Sequence, residues 1–152
     1  MAGDKFMKQV IYLTPSSSSF HFFIYDCISN VDKILSEAKY QDLVYEDRFY
    51  QESNIMVIGT KSDYLPVKLT FETLEKEASY ENNNVWEKVI RSRFEINNGF
   101  VKLFDPPAGK FASIEIPNGK YHIKIYYGEN ENKESELSND FYLFQIWPFE
   151  NS

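Results

Sequence analysis

A single cysteine, Cys27, excludes a disulfide within the chain, and no Asn-x-Ser/Thr acceptor marks it for glycosylation. Long hydrophobic runs are also missing: the patch Val10 to Leu13 is far short of a signal-peptide core or a membrane span. With no export or anchoring signal visible, the cytoplasm is the expected compartment. Positive charge is scarce, with 16 Lys and Arg against 23 Asp and Glu and a net charge of -7. That balance repels phosphate backbones and anionic lipid surfaces, so neither nucleic acid nor membrane is expected as a direct partner.

Catalytic raw material is thin. There are two histidines and one cysteine, and no Gly-x-Ser-x-Gly elbow, phosphate-cradling glycine loop, His-Glu-x-x-His or Cys-x-x-Cys. Hydrolases and nucleotide enzymes built on those motifs are excluded, and no metal or cofactor is implied. His21 and Cys27 share a face of an extended stretch but lie roughly 20 Å apart at the usual strand rise, too far to hydrogen-bond. A Cys27–His122 dyad is the minor reading, because a free cysteine is most often a small buried hydrophobe. Ser36-Glu37-Ala38-Lys39 has a Ser-x-x-Lys spacing without the companion motifs that would give it meaning. Paired carboxylates stay open as a carboxylate enzyme's site, since 23 acidic residues make chance pairs unavoidable.

What is abundant is aromatic: 13 Phe, 11 Tyr and 2 Trp make up 17% of the chain, interleaved with Val and Ile. These residue types suit a pleated, half-buried surface. Between residues 84 and 107, Trp86, Ile90, Phe94 and Ile96 share one parity while Glu87, Arg91, Arg93 and Glu95 share the other, which predicts a long strand with one wet face. Asn97-Asn98-Gly99 supplies a turn, and Phe100 to Leu103 reads as the return strand of a hairpin. Further strands are expected around Met7 to Leu13, Phe20 to Asp26, Asn54 to Gly59, Leu65 to Phe71 and Phe111 to Ile116. Next, Tyr121, Ile123, Ile125 and Tyr127 alternate with Lys120, His122 and Lys124, so His122 is expected among lysines in water. Phe141 to Trp147 is apolar on both parities and predicts a central strand covered on both faces. A serine loop at Ser16 to Ser19 and a short helix near residues 30–39, with Val31, Ile34, Leu35 and Ala38 as its apolar stripe, complete the reading. The expected fold is all-β, an antiparallel two-sheet β-sandwich formed by one domain over residues 1–152.

The polar segment from Gly128 to Asp140 is acidic, and the two readings are a solvated loop and a partner surface. On the second, Glu129, Glu131, Glu134, Glu136 and Asp140 face a basic protein and accelerate encounter with it. Glu72, Glu75, Glu77 and Glu81 form a second acidic group that would extend the same field. The alternative binding mode uses exposed aromatics to stack on carbohydrate or another small ligand, with Tyr126 and the cluster Tyr45, Phe49 and Tyr50 as candidates.

The order Glu87-Lys88-Val89, Phe94-Glu95-Ile96, Gly99 to Leu103 and Ile114 to Tyr121 resembles the competence protein J family of bacterial nuclease inhibitors. Asp140 to Pro148 is also similar to a C-terminal pattern in bacterial relatives of that kind. The resemblance implies a small cytoplasmic β-sandwich that binds and blocks a partner nuclease without catalysis of its own. The expectation is a non-enzymatic inhibitor or immunity-like protein whose partner is a basic nuclease or toxin.

Overall fold

The computed structural model describes residues 7–14, 21–25, 47–52, 54–61, 65–78, 86–105, 109–129 and 140–149. In chain order their strands are β1 (Met7–Leu13), β2 (His21–Tyr25), β3 (Phe49–Glu52), β4 (Ile55–Gly59), β5 (Val67–Thr73), β6 (Trp86–Ile96), β7 (Phe100–Asp105), β8 (Gly109–Glu115), β9 (Gly119–Glu129) and β10 (Asp140–Pro148). They form two five-stranded sheets, ordered β1-β5-β10-β9-β6 and β3-β4-β2-β7-β8. The chain is all-β, as its composition predicts. The helix expected near residues 30–39, the serine loop, Cys27 and Ser36 lie outside the described residues. Among the described residues no helix is long and apolar enough to cross a membrane.

Strand patterning explains who sits where. Strand β10 is flanked by β5 and β9, and seven of its residues are buried on either parity, as expected for a segment with no wet face. Its pairing with β5 is parallel, a departure from the antiparallel expectation, and it brings Phe71 and Phe144 directly opposite one another. Their rings stack at 4.4 Å and 8°. Tyr121, Ile123, Ile125 and Tyr127 of β9 all point into the core. That core joins the two sheets, drawing Met56, Ile58, Val101, Leu103 and Ile114 from one and Leu69, Phe71, Ile123, Ile125 and Phe144 from the other.

The hairpin expected across Asn97-Asn98-Gly99 is not there. Strand β6 pairs with β9 in the first sheet, whereas β7 pairs with β2 and β8 in the second. The turn therefore carries the chain from one sheet to the other, burying Phe94 and Ile96 before it and Val101 and Leu103 after it on the same core. The next connection returns by the same route, from β8 to β9. The two crossings are tied together, with Gly99 N donating to Asn118 Oδ1 at 2.6 Å and Ile116 N donating to Gly99 O at 3.0 Å.

Two further expectations change. A register shift between Trp86 and Lys88 moves Trp86 off the parity it shares with Ile90 and Phe94, and its ring packs against Tyr126 and Phe141 at 5.1 and 5.4 Å. His122 is half-buried, stacked on Trp147 at 5.5 Å and on Phe149 at 4.4 Å rather than standing among lysines in water.

Candidate functional site

One end of the molecule carries a polar network that connects the sheets, and Arg48 is its centre. This residue precedes β3 with φ of 60°, the left-handed region that side chains disfavour. Its carbonyl is held twice, accepting from Gly59 N at 3.0 Å and from Tyr127 Oη at 2.6 Å. The guanidinium uses all three nitrogens: Nε donates to Gly59 O at 3.2 Å, Nη1 to Glu87 Oε1 at 2.7 Å and Nη2 to Tyr142 Oη at 2.6 Å. It also lies 4.8 Å over the Tyr127 ring. Backbone strain at Arg48 is thus fixed by contacts from β4, β6, β9 and β10.

Lys61, just beyond β4, organises the acids. Its Nζ donates to Glu129 Oε1 at 2.6 Å and to Glu87 Oε2 at 3.0 Å, while its backbone N donates to Asp140 Oδ2 at 2.8 Å. Tyr142 Oη donates to the same Asp140 oxygen at 2.5 Å. Lys88 Nζ donates to Asp47 O at the edge of the network. The Glu129 hydrogen bond is the main influence that raises the Lys61 ammonium above its ordinary value. Burial pushes the Glu87 carboxyl up, but the hydrogen bonds it accepts from Lys61 and Arg48 prevail and hold it below the ordinary carboxylate range. Arg48 is raised: burial opposes its charge, and Tyr142 and Glu87 outweigh burial. Burial, reinforced by Asp140, pushes the Tyr142 phenol well up, and burial does the same for Tyr127.

The network suits recognition. Arg48, Lys61, Glu87 and Glu129 are joined in ion pairs, and among the described residues no group of three His, Cys, Asp or Glu could hold a metal. Lys61 and Glu129 keep side-chain exposures of 43% and 40% and Glu87 keeps 34%, so three charged heads remain open to a partner in fixed positions.

The acids singled out from sequence divide here. Glu129 is exposed in the network, whereas Asp140 is 1% exposed and acts beneath it, orienting Lys61 through the backbone and Tyr142 through the hydroxyl. The two residues are direct cross-strand partners, so both ends of the acidic tract are anchored at Lys61. Glu131, Glu134 and Glu136 lie outside the described residues. The described members of the second acidic group, Glu72, Glu75 and Glu77, do not join this network. Glu72 is buried and accepts from Gln145 Nε2 at 3.0 Å, and Glu77 is engaged with Arg91 at 2.7 Å and Lys124 at 3.7 Å. Glu75 is exposed elsewhere, and Glu81 is outside the described residues. The aromatic candidates fare worse: Tyr126 is buried at 3% with Lys124 over its ring, Phe49 packs on the core, and Tyr50 is half-buried with its hydroxyl on Glu52. Tyr45 is outside the described residues.

Sequence reasoning missed Arg48, Lys61 and the role of Glu87. Arg48 finds its partners 11, 39 and 94 positions away, and no local period announces such contacts. Glu87 did show as a member of a wet face, which located it on the surface without naming what it meets.

Two solved structures share this fold. One is ComJ of Bacillus subtilis, an inhibitor of the DNA-degrading activity of NucA, with a TM-score of 0.70, 14% identity, and coverage of 96% of this chain and 100% of that one. The other is the product of crocagin biosynthetic gene J, with a TM-score of 0.64, 10% identity, and coverage of 97% and 100%. No protein-family model and no curated protein matches the sequence. At these identities the likeness shows the fold, extending over nearly the whole chain.

Proposed function

We propose that this chain is a non-enzymatic binding module that blocks a partner enzyme, a basic nuclease or toxin, by occupying its substrate groove. The observation that carries the reading is the likeness, along nearly the full length, to an inhibitor of a DNA-degrading activity. Fold alone does not assign function. Two properties of this chain point the same way: a net charge of -7, opposite to a groove built for DNA, and a polar end whose charged groups are paired rather than poised for catalysis.

Contact is assigned to the polar end through Glu129 and the tract residues Glu131, Glu134 and Glu136, with buried Asp140 holding Lys61 and Tyr142 in place. Binding occurs in the cytoplasm and needs no cofactor. The test titrates purified protein into a plasmid-degradation assay, using NucA and the DNA-degrading activity of the native host's extract as the two nuclease sources. The expected result is saturating inhibition of at least one source at near-equimolar protein, relieved by raising the salt concentration. Full activity of both at large excess of folded protein would overturn the proposal.

A further inference from the structure

At the end of the molecule opposite Lys61, where β9 begins and β10 finishes, lies an apolar pocket of about 540 Å³. Its walls are Met7, Leu74, Ile116, Tyr121, Ile146 and Pro148. Those walls are preformed. Leu74 N donates to Ile146 O at 2.8 Å, and Tyr121 Oη donates to Pro117 O at 2.5 Å, which fixes the tyrosine hydroxyl at the rim. Such a volume falls in the range of small-ligand sites, roughly 300–1,000 Å³, and a concavity of this size exceeds what one partner side chain would fill.

Among the described residues the charge on the lining is of one sign: Glu75 and Glu115 border the pocket and are exposed, no described Lys, Arg or His lines it, and neither carboxylate has an ion-pair or hydrogen-bond partner among them. This contrasts with Glu77, Glu87 and Glu129, each of which is held by a cation. Apolar walls beside two carboxylates that have no partner among the described residues define the ligand that would suit both. We propose that the pocket binds a small amphiphile with an apolar body and a single cationic head, the body on Met7, Leu74 and Pro148 over the buried Ile116 and Ile146 and the head at Glu75 and Glu115. This goes beyond the inhibitor reading and does not depend on it, since it concerns the other end of the molecule.

Three probes of equal length separate the contributions: octylamine, octanol and octanoate, each below its aggregation threshold. They would be titrated into the full chain by calorimetry, with the methyl resonances of Ile116 and Ile146 reporting location. Octylamine is expected to bind saturably at one site, octanol at least tenfold more weakly, and octanoate more weakly still. The exposed double variant Glu75→Gln/Glu115→Gln should bring octylamine to the affinity of octanol and leave octanol unchanged. Leu74→Trp, which fills the pocket, should abolish both, and Met7→Trp at the exposed wall does the same work if the first variant melts early. No saturable binding of octylamine, equal affinity for the three probes, or an amine preference that survives the double variant would each overturn the proposal. The last outcome would mean that the overall negative charge, rather than this site, attracts the amine.

Discussion

Arg48 holds a backbone conformation in which glycine is at ease and every other residue is strained, so its side-chain contacts and its strain can be separated by substitution. Arg48→Ala and Arg48→Gly both lose the bonds to Glu87 and Tyr142, but only glycine relieves the strain. Chemical denaturation should find the glycine variant more stable than the alanine variant by about 1 kcal/mol. Equal stabilities would mean that the positive φ costs nothing here. Tyr142→Phe removes the hydroxyl that links Arg48 to buried Asp140 and leaves that carboxylate oxygen with Lys61 N. The expected loss is about 1–3 kcal/mol, the usual cost of an under-satisfied buried polar group. The same network sets two pH limits. Glu87 is depressed below its ordinary value of 4.5, so the stability it contributes is present above pH 4.5 and is lost as pH falls through the lower native value. Tyr127 and Tyr142 are raised above 10.0, so stability is complete below pH 10 and declines above it, where the unfolded chain sheds protons that the native state retains. Melting temperatures across pH should show Glu87→Gln flattening the acid side and Tyr127→Phe flattening the alkaline side.

At the scale of elements, a turn signal reports where the chain reverses and not which strands then pair. Asn97-Asn98-Gly99 has the composition of a hairpin, yet β6 and β7 belong to different sheets. Alternation is the same for both outcomes, because Phe94, Ile96, Val101 and Leu103 face one core whether that core lies beneath a hairpin or between two sheets. The partner that decides is Asn118, 19 residues on, whose Oδ1 takes the Gly99 N–H. A glycine with φ of +76° and open space around its absent Cβ makes Gly99→Ala a test of backbone strain alone, with an expected cost of about 1 kcal/mol. Gly128 is the opposite case. Its φ is unremarkable, but an added Cβ would lie 2.5 Å from Phe141 Cζ, and Trp86 packs on the same ring. Gly128→Ala should cost about 1–3 kcal/mol by overpacking, and Phe141→Leu in the same chain should recover much of it. By contrast β10 and the core face of β9 were legible outright, since burial on both parities and strict alternation are properties of the segment itself.

Across the whole molecule, the two ends of the first sheet differ in kind, one charged and internally paired, the other apolar and edged with carboxylates that have no partner among the described residues. Global charge was readable from composition, but its distribution was not: of the acids that sequence grouped together, Asp140 and Glu72 are buried while Glu129 stands open. A partner approaching a chain of net charge -7 is steered by all of it, yet docking depends on the few groups that touch. Replacing Glu129, Glu131, Glu134 and Glu136 by Gln removes four charges from the acidic tract and leaves buried Asp140 in place. Against an inhibited nuclease this variant should associate about tenfold more slowly at low salt, with a much smaller change in release. The difference should shrink as the screening length falls toward about 8 Å at physiological ionic strength. Surface plasmon resonance at several salt concentrations separates the two rates, and a melting curve verifies that loss of the Lys61–Glu129 pair leaves the fold intact. If association is unchanged in the folded variant, steering comes from the charge of the molecule as a whole and the contact lies away from Lys61. Glu75 and Glu115 beside the apolar pocket would then be the next acids to replace.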